Sequence, residues 1–148
     1  MVVAGATKRT TAAPTFNSVA MTMASSQQAY ATSPEVSAEL WYLLDPPVNA
    51  SYTVSIPNSG LTLYANLATF IAGSGYTSKF DSAIGATGSS ANPTANIALT
   101  YSGEAIYAVM GDGQNNVPTA QTGTSINRTD DGTYSDNNQY YLQNKEYG

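Results

Sequence analysis

The segment Ala38–Pro47, AELWYLLDPP, decides how the rest of the chain is read. Ala38, Leu40, Tyr42 and Leu44 alternate with Glu39, Trp41 and Leu43. Both alternating sets are partly apolar, the pattern of a central strand in a sheet covered on both faces. Glu39 is the exception, and its place in the alternation reads as a side chain turned to solvent. Pro46-Pro47 ends the strand, because proline has no N–H to give to a ladder. Trp41 is the only tryptophan. It is either packed in a core or interface, or exposed as a platform for a sugar ring. Large aromatic side chains are usually well buried, which favours core or interface.

Outward from this strand, the chain reads as short strands cut by Gly, Pro, Asn and Ser, with no convincing helix. Met1 to Ala6 is a short apolar strand. Thr15–Thr22, TFNSVAMT, is a tight hairpin with Asn17-Ser18 at its turn, since Asn tolerates the left-handed conformation. Residues 25–31 give only a weak strand signal. Ser51–Ile56, SYTVSI, alternates cleanly, with Tyr52, Val54 and Ile56 on one face. Leu61–Tyr64 is a strand, and 65–72 continues it or bends through a bulge or helical turn. Residues 73–93 are loop-rich. Ala95–Tyr101 and Glu104–Met110 are expected to pair across Ser102-Gly103, with 111–119 a polar loop. Strands near 121–128 and 139–147 flank the loop TDDGTYSDNN.

Composition narrows the function classes. The 148 residues favour one domain, 1–148, able to bury a proper core. Charged residues are 10% of the chain, against a usual ~25%. The net charge is −5, and of the five basic residues only Lys8 and Arg9 are adjacent. A phosphate-tracking groove needs clustered cations, so nucleic acid and anionic membranes are poor partners. No apolar run has the length of a membrane-spanning helix, so no membrane insertion is expected. The basic pair follows the first apolar run, which is not a signal-peptide layout. Cysteine and histidine are absent, which removes disulfides, thiol chemistry, Cys-based zinc sites and the commonest general base.

The remaining chemistry is sparse. Asp130, Asp131 and Asp136 share one loop and offer oxygen ligands to calcium, although their spacing is not that of an EF-hand and no Glu closes the set. A solvated turn is the plainer reading, so no cofactor is expected beyond that calcium candidate. Glu35, Glu39 and Glu104 could in principle supply a glycosidase pair, but no motif surrounds them, and the chain reads as no enzyme. The eleven tyrosines are the strongest compositional feature. Tyrosine packs a ring while keeping its hydroxyl wet, which suits interfaces and shallow sugar sites. For Tyr42, Tyr52 and Tyr107 ordinary strand packing is the better reading. Tyr134, Tyr140 and Tyr141, beside the polar loop, join Trp41 as interface or glycan candidates. Two sequons, Asn49-Ala50-Ser51 and Asn127-Arg128-Thr129, matter only in a host with glycosylation machinery.

Taken together, TFNSVAMT, Glu39–Leu43, Pro46-Pro47 and Tyr52–Ile56 resemble a group of surface β-sandwich domains, jelly-roll or concanavalin-like, found in secreted bacterial and archaeal proteins and in viral structural proteins. That group commonly carries a T-Y-N-G-V-x-L-T hairpin, an E-x-W-Y-L strand and a Y-x-V-x-V strand. EAIYAVMGDG and DGTYSDNNQYY look like its later strands and loops. The resemblance implies adhesion, surface display or virion structure, and it transfers no catalytic residue. Measured against the group, the chain begins inside the first strand and stops before the last, so a strand supplied by a neighbour is expected to close the open edges.

The expectation is therefore an all-β protein: a two-sheet antiparallel β-sandwich of jelly-roll type with roughly nine or ten short strands. Its expected role is that of a non-enzymatic structural subunit on an extracellular surface or virion, partnered by copies of itself or another structural subunit. A glycan-binding adhesion module is the alternative.

Overall fold

The decisive segment forms β5 (Val36–Leu43), and β5 is interior to its sheet. The computed structural model describes residues 1–6, 10–30, 36–48, 51–58, 65–69, 79–88, 95–98, 100, 105–112, 125–130 and 139–146. Within these, β1 (Val2–Ala6), β2 (Thr15–Phe16), β3 (Val19–Ala20), β4 (Thr22–Tyr30), β5, β6 (Val54–Ser55), β7 (Ala65–Thr69), β8 (Ala105–Asp112), β9 (Ser125–Asp130) and β10 (Gln139–Glu146) are strands. All pairings are antiparallel, and the described residues contain no helix. The all-β expectation holds at that level.

The main sheet runs β4-β5-β1-β7, a second sheet runs β8-β10-β9, and a ribbon runs β3-β2-β6. The first strand and the last described strand are both central in their sheets, β1 between β5 and β7 and β10 between β8 and β9. A strand paired on both sides has used its ladder groups.

Register explains why β1 and β5 are apolar on both faces. Ala4 faces Trp41 and Val2 faces Leu43 across the ladder, while Val3 faces Tyr42 and Gly5 faces Leu40. Directly opposed residues share a face. On the Trp41 face, Val2, Ala4 and Trp41 pack with Phe16 and Met21 of the ribbon segment, and Ala13, Leu43, Val54 and Leu67 close around them. On the other face, β8 crosses β1 and β5. A Cβ on Gly5 would lie 3.1 Å from Val109 Cβ and 3.6 Å from the Tyr107 ring. Glycine in the middle of this strand is what lets β8 come so close. Phe80 stacks on Tyr42 on that face, with centroids 4.2 Å apart and planes 6° from parallel.

The hairpin forms as read. Thr15 pairs with Ala20 and Phe16 with Val19, and Asn17 and Ser18 take φ values of 48° and 66°. Two consecutive left-handed residues make the type I′ turn that matches strand twist. Asn17 has a second function: its side-chain Oδ1 accepts from Thr53 N at 2.8 Å, while its backbone N–H donates to Thr53 O at 2.8 Å. The turn is thereby fastened to the segment that leads into β6.

Several boundaries differ from expectation. The weakly signalled 25–31 stretch belongs to β4, the outer strand of the main sheet, with register irregularities between Met23 and Ser25 and between Gln28 and Tyr30. Such bulges bend and twist an edge strand. The clean alternation of 51–56 shortens to the two residues of β6, because its partner β2 is itself two residues long. Residues 65–69 are strand, in line with expectation, and Leu61–Tyr64 and 70–72 lie outside the described residues. The expected 95–101 with 104–110 pairing is replaced. β8 pairs with β10, and the earlier segment bonds instead to 81–82, through Thr100 N to Asp81 Oδ2 at 3.0 Å and Ser82 Oγ to Ala98 O at 3.2 Å. A near-neighbour hairpin was the economical reading, but tertiary pairing over a longer loop prevailed. Gly111 and Asp112, expected in a loop, complete β8.

Candidate functional site

Two places carry the residues singled out by the sequence. One is the Trp41 face beneath the ribbon, and the other is the second sheet, where β9 and β10 meet.

Trp41 is 6% exposed, so its ring lies in the core rather than on a platform. Glu39, on the same face of β5, is 2% exposed, which corrects the solvent-facing expectation. Alternation assigns Glu39 to a face correctly, but that face is covered. Burying a carboxylate is costly unless donors surround it. Here they converge on one atom: Trp41 Nε1 donates to Glu39 Oε2 at 3.2 Å, Thr10 N at 3.1 Å and Thr10 Oγ1 at 2.9 Å. Glu39 in turn satisfies the indole N–H of Trp41. Orphaning the buried indole donor would cost about 1–3 kcal/mol, and the half-buried Thr10 donors less. As a glycosidase carboxylate Glu39 would need to meet a substrate, and in this conformation the ribbon covers it. Glu35 and Glu104 lie outside the described residues.

Thr10 and Gly5 carry roles that the sequence reading missed. Thr10 has no local signature, because its partner is twenty-nine positions away. Gly5 did have a signal: an isolated glycine inside an apolar strand marks a close backbone approach.

In the second sheet, Tyr140 pairs across the ladder with Gly111 on one side and Asp130 on the other. Tyr141 pairs with Met110 and Thr129. Successive strand residues take opposite faces, so the two tyrosines part company. Tyr140 shares the face positions of Val109 and Tyr107, the residues that meet Gly5, and Tyr141 takes the opposite face with Ile106, Ala108 and Met110. Asp130 ends β9, whereas Asp131, Asp136 and Tyr134 lie outside the described residues. Among the described residues no three acidic side chains group as metal ligands. The sequon Asn127-Arg128-Thr129 lies inside β9, and Asn49 lies outside the described residues.

Of the three tyrosines expected to pack as ordinary strand residues, Tyr42 and Tyr107 lie in strands and Tyr52 lies before β6. Tyr42 is half-buried under Phe80, and Tyr107 is half-buried at Gly5. Tyr52 is half-exposed with its ring 5.2 Å from that of Phe16. Comparison with protein-family models, with curated proteins and with solved structures finds no match to this chain.

Proposed function

We propose that the chain is a non-enzymatic structural subunit of an extracellular or virion surface assembly, built as a jelly-roll-like sandwich and packed against copies of itself or another structural subunit. The observation that carries this reading is the register of the second sheet. It sets Tyr141 beside Met110, with Ile106 and Ala108, on the face opposite the one that meets Gly5, flanked by the polar positions Thr129, Asn127, Gln143 and Lys145. Tyrosine and methionine are among the residues enriched at protein interfaces, which are rimmed by polar side chains. The low charge of the chain agrees, since interface cores are depleted in charged residues. Strand exchange with a neighbour, where it occurs, would use β4 or another outer strand rather than the central β1 and β10.

The test is native mass by light scattering on the full chain, with Tyr141→Ala and Tyr140→Ala compared. The reading expects a multimer. Tyr141→Ala shifts it toward monomer with the melting curve unchanged, whereas Tyr140→Ala lowers the melting temperature. A monodisperse monomer would defeat the reading.

The cross-strand placement of Asp130 beside Tyr140 favours one rival, a glycan-binding module with calcium at the loop that follows β9. That rival expects an isolated monomer to bind glycans and to lose them on chelation.

A further inference from the structure

The ribbon is a separate layer. Its ladder pairs β2 with β3 and β6 and does not join the main sheet. Further backbone hydrogen bonds within it run from Thr11 N to Pro57 O at 3.1 Å, Asn17 N to Thr53 O at 2.8 Å and Met21 N to Pro14 O at 2.8 Å. Against the main sheet it presents apolar side chains, Ala13, Phe16, Met21 and Val54. Apolar contact is non-directional and does not by itself fix how one layer sits on another. Two directional bonds that join the layers run from Thr10 N and Thr10 Oγ1 to Glu39 Oε2.

We propose that the ribbon is a lid over Trp41 that lifts from the main sheet as a unit, and that the Glu39 carboxylate is its latch. Glu39 and Trp41 are both on β5, so opening breaks the Thr10 bonds and leaves the indole bond in place. The latch is therefore released on one side only, and the sheet keeps its own polar pair satisfied. Local opening of such a unit is the kind of sub-global event that amide exchange resolves. Glu39 acts here as a positioning residue.

Amide exchange by mass spectrometry, on the full chain and its Glu39→Gln and Thr10→Val variants, tests this. Trp41 is the only tryptophan, so acrylamide quenching of its fluorescence reports the same opening independently. In Glu39→Gln, exchange in residues 14–21 and 53–55 should rise by roughly tenfold, while β1 and β5 keep their protection. Quenching of Trp41 should rise with it. Thr10→Val removes one of the two Thr10 donors and should move the same amides by a smaller factor. If Glu39→Gln fails to fold, Thr10→Val carries the test alone. Equal acceleration in the ribbon and in β1–β5 would mean one cooperative unit, and would overturn the proposal. So would unchanged ribbon exchange in either variant.

Discussion

The two faces of the β1–β5 pair are closed in different ways. The Trp41 face is covered by residues 10–21 and 51–58, on either side of β5 in the chain, through packed apolar side chains around one polar knot at Glu39. The Gly5 face is covered by β8, about a hundred positions downstream, and the contact depends on a missing side chain. One face is held by what its residues add and the other by what one residue lacks. Substitutions should therefore act in opposite senses: truncation injures the first face, and enlargement injures the second.

The largest effect is expected from Trp41→Ala. It empties the centre of the Trp41 face and removes a donor to Glu39, so urea unfolding should show a loss of about 3–5 kcal/mol. A loss below 1 kcal/mol would mean the ring is not in the core. Gly5→Val comes next. Its side chain has to push Val109 aside, and overpacking of this kind costs about 1–3 kcal/mol. The comparison sharpens in a double-mutant cycle, where Val109→Ala should recover part of the loss in the Gly5→Val background and destabilise the natural chain. Purely additive effects would separate the two residues. Phe80→Leu keeps an apolar cover on Tyr42 but loses the stacked ring, which is worth about 0.5–1.5 kcal/mol beyond area. The smallest effect is a gain. Ser18 sits at φ 66°, where a Cβ is strained, so Ser18→Gly should raise stability by at most about 1 kcal/mol in thermal melts.

What the sequence disclosed follows the same division. Alternation in 38–44 marks a strand covered twice, and the Asn17-Ser18 turn announces itself, because both signals are local. The Glu39 burial was not legible. A single acidic residue in an apolar alternation looks like a solvent-facing position until a distant Thr10 is known to cover it. The β8–β10 pairing was hidden for a related reason: Ser102-Gly103 offers a plausible short turn, and only the rest of the fold rejects it. For the candidate tyrosines, the sequence marked Tyr140 and Tyr141 together, yet alternation within β10 gives them opposite faces and different expected roles. Recognising which of them shares the face that meets Gly5 required the register with Val109.

The contact of Val109 with Gly5 is the point on which the account turns, since it fixes the second cover and, through the register, the opposite face on which Tyr141 stands. Methyl-resolved nuclear Overhauser spectra of the labelled full chain test it most directly. The account predicts cross-peaks from the Val109 methyls to the Gly5 α-protons and none from those methyls to the Trp41 or Phe16 rings. Val109 methyls that touch Trp41 or Phe16, or that touch nothing in β1, would contradict it.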